Sequence, residues 1–260
     1  MWGHDVKRVL ITGGDDGIGL ELVRQYLEAG WRVYATCRSP MDAESLHDLE
    51  KIHTRLSLHR LDITVPEDLN KLIHQFSDTP LDLLINSSAV FLDKENTGLD
   101  HLDYERWFRT LEINTLGPLR VIEALIDNIE AATNGINLVV VLSILPCRTL
   151  YEEESTGLFY NSSKAALNSA MQDIAKELEQ RNVGLLMLYP GPVAEDMKSP
   201  QSITTRQSVT GMRQVIADYS PAKNGCFYSY DGSEFAFGQM PDFKRERQAH
   251  GIRQIAQHKK

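Results

Sequence analysis

The sequence predicts an α/β fold in which parallel strands are covered by helices on both faces. Short apolar runs rich in β-branched residues recur at 6–11, 31–37, 56–61, 81–85, 136–142 and 184–189, the pattern of strands buried on both sides. Between them lie amphipathic stretches with helical spacing. With 260 residues, 42% of them hydrophobic, the chain can bury one sizeable core.

The elements follow in order. After strand 6–11, Ile18, Leu22, Val23 and Tyr26 share one side of a helix over 18–27. Weaker helical patterns occupy 43–52 and 66–76. A long helical region over 103–131 contains Pro118, which lacks an N–H donor and is expected to bend it. Strand 136–142, helix 162–180 and strand 184–189 come next. Pro190, Pro192 and Pro200 mark an irregular surface segment, a candidate to move over a ligand. A helix over 204–219 and a last strand over 225–230 complete a single domain over 1–243. Residues 244–260 carry six Lys or Arg and one Glu, read as an exposed basic extension in preference to a specific anion site.

Charge and cysteine usage exclude several functions. Acidic residues outnumber basic ones 36 to 27, for a net charge of -9, so nucleic acid is a poor partner. Cys37, Cys147 and Cys226 show no CxxC spacing, which argues against a disulfide framework or zinc cluster and suits a reducing compartment. No metal site is expected. Cys147 has no neighbouring His base and reads as an inert thiol. The start of the chain does not read as a secretory signal, and no run is long enough to span a membrane. A cytoplasmic protein with no membrane partner is expected.

Two motifs carry chemistry. Thr12-Gly13-Gly14-Asp15-Asp16-Gly17-Ile18-Gly19 joins the first strand to the first helix. Glycines there let backbone donors approach a pyrophosphate and the helix pack closely on the sheet; the plainer alternative is a tight connection. Tyr160-Asn161-Ser162-Ser163-Lys164 is a YxxxK spacing, just over one helical turn, so hydroxyl and ammonium can serve one cleft. The ammonium would stabilise tyrosinate and make Tyr160 an acid/base near neutral pH; the ordinary alternative is a solvent-facing pair. Ser143 lies at the C-terminal end of a strand, where parallel sheets place ligands. It can polarise a carbonyl or merely cap the strand. Asn114 either repairs a bend near Gly117 or fixes a water linked to Lys164.

Taken together, the TGxxxGxG turn and the order of Asn114, Ser143, Tyr160 and Lys164 resemble the classical short-chain dehydrogenase/reductase family, over residues 6 to about 197. The runs 35–40 and 188–193 look like its carbonyl-reductase-like branch, which includes C-factor-type proteins. The resemblance implies a doubly wound Rossmann fold with a mostly parallel, seven-stranded sheet. It assigns proton transfer to Tyr160, tyrosinate and nicotinamide-ribose contacts to Lys164, substrate orientation to Ser143 and a structural proton-relay role to Asn114. Cofactor contacts carry over to Thr12, Gly13, Asp16, Gly17, Ile18 and Gly19, to Asp62 with Ile63 at the adenine, to Asn86, Ser87 and Ser88, and to Pro190, Gly191 and Val193. Asn86-Ser87-Ser88-Ala89 keeps only the first residue of the family's NNAG. Glu195 or Asp196 stands where the family commonly has threonine.

Arg38, with no acidic residue at 35–39, favours NADP(H) by facing a ribose 2'-phosphate. Asp16 opposes that phosphate, so NAD(H) stays open. Arg148, Glu152, Glu153, Glu154, Phe91, Leu145 and Met197 are candidates to shape the substrate mouth. The first reading is an oxidoreductase interconverting a small carbonyl compound and an alcohol. The alternatives are a catalytically weak or inactive nucleotide-responsive interaction protein and a structural assembly protein. The resemblance also implies a homodimer or homotetramer packed through the long helices.

Overall fold

The structure, a computed structural model, describes residues 6–93, 99–133, 137–143, 157–193 and 202–235. The mouth residues Leu145, Cys147, Arg148, Glu152, Glu153, Glu154, Glu195, Asp196 and Met197 and the basic extension lie outside them. Seven strands run parallel where they pair: β1 (Arg8–Thr12), β2 (Arg32–Cys37), β3 (Leu56–Arg60), β4 (Leu83–Asn86), β5 (Leu138–Leu142), β6 (Gly184–Tyr189) and β7 (Phe227–Ser229). An eighth, β8 (Glu234–Phe235), pairs antiparallel with β7. It is two residues long, too short to leave a periodic trace in the sequence.

The order β3-β2-β1-β4-β5-β6-β7-β8 reverses direction at β1, which opens a crevice beyond the C-terminal ends of β1 and β4. Alternation along each strand assigns side chains to two cores. Val9, Ile11, Val33, Ile85 and Val140 face α1 (Gly17–Glu28), α2 (Glu44–Ile52) and α7 (Thr205–Ala217). Leu10, Leu84, Val139, Val141 and Leu185 face α3 (Pro66–Phe76), α5 (Gly117–Glu130) and α6 (Leu158–Gln180). Both faces are covered, so the strands read as continuous apolar runs.

Two helices differ from expectation. The region 103–131 is divided into α4 (Tyr104–Leu111), a π-helical turn at Glu112–Leu116 and α5. Pro118 cannot donate to the carbonyl four residues back, that of Asn114, and the Gly117 N–H donates five residues back to Glu112. The break therefore falls just before the proline and puts Asn114 inside the π turn. Helix α6 begins at Leu158, four residues before the sequence pattern suggests. Asn161, Ser162 and Ser163 are weak helix formers, and the contacts that extend the helix come from distant residues. No helix among the described residues is long and apolar enough to cross a membrane.

Candidate active site

The crevice holds a cavity of about 440 Å³. Its floor is the turn between β1 and α1. Gly13 (φ 62°) and Gly17 (φ 48°) occupy the left-handed region, which side chains rarely adopt. A Cβ on Gly19 would overlap the Gly13 carbonyl, so glycine at this position is what lets α1 start this close to β1. Asp16 caps α1 by accepting from the Gly17 N–H at 2.6 Å. Gly17, Ile18 and Gly19, the first turn of α1, line the cavity wall, and the N-terminal end of a helix there is a fit for an anionic pyrophosphate. Thr12 does not line the cavity. Its Oγ1 accepts from the Ser87 and Ser88 N–H groups at 3.1 and 3.2 Å, tying β1 to the loop after β4. Asn86 is buried behind this tie, and its Nδ2 has no hydrogen-bond partner.

At one end the cavity is lined by Cys37 and Arg38 from the end of β2 and by Leu61, Asp62 and Ile63 beyond β3. Asp62 Oδ1 accepts from the Thr64 N–H (2.9 Å) and hydroxyl (2.6 Å). Burial works to raise the Asp62 carboxyl, but these bonds and the Arg109 and Arg38 charges hold it below its ordinary range. It is therefore an ionised acceptor in a cleft flanked by two guanidinium groups. Burial and the Asp15 charge push the Cys37 thiol up to about 11, so it stays protonated and unreactive.

At the other end stand Leu142, Ser143, Tyr160, Lys164 and Pro190. Ser143 is 2% exposed and follows β5, where its N–H donates to the Leu188 carbonyl. Tyr160 and Lys164 lie one turn apart at the start of α6, with the ammonium 5.7 Å from the tyrosine ring centre. Lys164 is 3% exposed, and its Nζ donates to the Leu142 carbonyl at 3.1 Å. Burial raises the Tyr160 phenol above its ordinary range and pulls the Lys164 ammonium down to about 8. Phe91 packs on the Tyr160 ring at 5.4 Å between centres and is otherwise 61% exposed.

Of the expected site residues, Gly13, Asp16, Gly17, Ile18, Gly19, Arg38, Asp62, Ile63, Ser87, Ser88, Ser143, Tyr160, Lys164 and Pro190 meet around this one cavity. Asn114 does not line it. Its Oδ1 accepts from the Val90 N–H, and its Nδ2 donates to the Val90 carbonyl and Ser163 Oγ, joining the loop after β4 to α6. Gly191 and Val193 also stand back from the cavity, with Gly191 at φ 84° beneath the Tyr230 ring. The sequence reading missed Arg109, which lines the cavity from α4 and donates to Thr64 Oγ1 at 3.1 Å. No spacing in the sequence marks it, because Ile113, the lining residue one turn on, is itself placed at the cavity only by the fold.

A family model described as short chain dehydrogenase matches residues 7–206. The chain belongs to the short-chain dehydrogenase family. It is 29% identical over 253 residues to an uncharacterized oxidoreductase of Schizosaccharomyces pombe, covering 89% of this chain and 98% of that one. It is 31% identical over 237 residues to a 1-hydroxy-2-glutathionyl-2-methyl-3-butene dehydrogenase of Rhodococcus, covering 88% and 98%. Among solved structures, an NADPH-bound carbonyl reductase from chicken fatty liver superposes with a TM-score of 0.79 at 25% identity, over 90% of this chain and all of that one. The family is one of oxidoreductases, and the short-chain dehydrogenase assignment rests on a match longer than any single motif.

Proposed function

We propose that the protein is an NADP(H)-linked oxidoreductase that interconverts a small carbonyl compound and its alcohol, with Tyr160 as the proton donor or acceptor. One observation supports this reading above others: Ser143, Tyr160 and Lys164 open into the same cavity as the glycine cradle and Arg38. The chicken carbonyl reductase with its bound NADPH points the same way. A nicotinamide cofactor supplies or accepts the hydride when bound.

The chain's residues supply the rest. Burial keeps the Tyr160 phenol protonated at neutral pH, the form needed to give a proton to a carbonyl oxygen during reduction. Lys164, at about 8, is mostly cationic at pH 7, and its charge beside the ring favours the tyrosinate left behind. The Ser143 hydroxyl can donate to the same oxygen and orient it. Gly13, Gly17 and Gly19 would receive the pyrophosphate, Asp62 the adenine amino group and Arg38 a 2'-phosphate. A homodimer or homotetramer belongs to the same reading, supported by Tyr104, Phe108 and Leu116, exposed along α4 and the π turn.

Matched NADPH and NADH titrations, followed by a panel of ketones and aldehydes, test the reading. Tyr160→Phe is expected to lower kcat by roughly 10²- to 10⁴-fold with nucleotide affinity retained. Nucleotide binding without turnover on any carbonyl class would favour a nucleotide-responsive interaction protein, and failure to bind either nucleotide a structural one.

A further inference from the structure

We propose that Asp93 is a positioning residue for the Tyr160 hydroxyl, acting through a cap on the helix that carries it. The proposal rests on the proton-transfer reading of Tyr160. The first amides of a helix have no partner within it, and α6 begins at Leu158 with no side-chain cap from Gly157. Asp93, in the loop after β4, fills that role from 66 and 67 residues away. Its Oδ1 accepts from the Phe159 N–H at 2.8 Å and its Oδ2 from the Tyr160 N–H at 3.0 Å. Both carboxylate oxygens are thus committed to consecutive amides, one of them Tyr160's own, and the anion lies at the positive end of the helix dipole.

The surroundings are shaped for this contact. A Cβ at position 157 would collide with the Asp93 carboxylate and the Phe91 ring, so the residue before the helix has room only as glycine. Phe91, two residues before Asp93, rests on the Tyr160 ring. At the near end of the same loop, Asn114 grips both backbone polar groups of Val90 and also Ser163 Oγ. The segment 90–93 is therefore fixed at both ends, by the π turn and by α6. Tyr160 sits in a terminal turn, the part of a helix that frays first, while general-acid geometry tolerates little displacement. Asp93 does not line the cavity and acts only through the backbone it holds.

The test uses the full chain as Asp93→Asn, Asp93→Ala and Gly157→Ala, each also combined with Tyr160→Phe. Subtracting the Tyr160→Phe counterpart isolates the Tyr160 phenolate absorbance, which needs no ligand. In Asp93→Ala and Gly157→Ala the phenol is expected to titrate lower than in the parent, toward an ordinary tyrosine, with Asp93→Asn between. With NADPH and the panel carbonyl that the parent turns over, kcat should fall roughly 10- to 100-fold while KM for NADPH holds. A folded Asp93→Ala with the parent's Tyr160 titration overturns the proposal. Should Asp93→Ala not fold, Asp93→Asn, which keeps one acceptor oxygen, decides by the same titration. If Tyr160→Phe leaves turnover intact, the proton-transfer reading fails, and the titration still decides whether Asp93 places that side chain.

Discussion

The two ends of the cleft are built by different means. At the glycine-turn end most contacts are local: Asp16 with Gly17, Asp62 with Thr64, and four glycines within seven residues, with Thr12 to the Ser87 and Ser88 amides the longer reach. At the Tyr160 end they span the chain. Lys164 reaches the Leu142 carbonyl, Trp107 reaches Ser162, Asn114 reaches Ser163, and Asp93 reaches Tyr160, with sequence separations of 22, 55, 49 and 67. A cradle made of backbone forms wherever strand, turn and helix form. A helix start held by side chains from three other elements exists only once the whole sheet has assembled, so its geometry and the charge states beside it depend on tertiary packing.

The largest expected consequence concerns Lys164, whose charge is suppressed only in the folded state. Its folded value of about 8 lies below the ordinary 10.5. Between these values the unfolded chain binds a proton that the folded chain has released, so stability rises as pH rises through that window. In urea unfolding the Lys164 contribution should rise by about 2 kcal/mol between about pH 8 and about pH 9.5, since each pH step of about one in that window adds about 1.4 kcal/mol, against the opposing slope of the raised Cys37 thiol. Lys164→Met should remove that gain. Near pH 10 and above, the raised Tyr160 phenol works in the other direction, because the folded state keeps a proton that the unfolded state loses. Identical profiles in the parent and in Lys164→Met would mean that the ammonium is solvated, and the contrast between the two ends would lose its electrostatic half.

A smaller effect is expected at the glycine-turn end. Arg38 lines the cavity beside Asp62, and Asp16 lines it from the cradle. Arg38→Gln should weaken NADPH binding about tenfold, about 1.4 kcal/mol, and leave NADH nearly unchanged, measured by matched titrations. Equal losses for both nucleotides would show that the guanidinium meets a group common to them, and the NADP(H) preference would fall.

The same division explains what was legible in the sequence. Strands buried on both faces announce themselves as apolar runs, and the predicted 31–37 and 184–189 lie within a residue of β2 and β6. The glycine turn and YxxxK were readable because their meaning is carried by spacing along one element. Asp93 and Trp107 were not, because a cap supplied from a distant loop leaves no periodicity at either partner. The sequence pattern starts α6 four residues late for that reason: Leu158, Phe159 and Tyr160 are helical through Asp93 and the Trp107 ring, not through local propensity. The π turn was half legible, since Pro118 announces a break but not that the turn before it absorbs an extra residue.

Trp107 offers the finest division between holding the helix and aiming the tyrosine. Its indole N–H donates to Ser162 Oγ at 2.7 Å, and its ring stacks on Phe159 at 5.5 Å. Trp107→Phe keeps an aromatic face and removes the donor, while Ser162 still donates to the Phe159 carbonyl. The loss of one such bond costs about 1 kcal/mol, a fall in melting temperature of about 2 °C for a chain of this size. Because this bond holds the side of α6 and not the amide of Tyr160, its loss should register in melting temperature well before it registers in the Tyr160 phenol titration. Asp93→Asn should show the opposite order. If both variants moved the titration equally, the first turn of α6 would be one rigid piece, and its packing as a whole, with no special part for the Asp93 carboxylate, would set the hydroxyl.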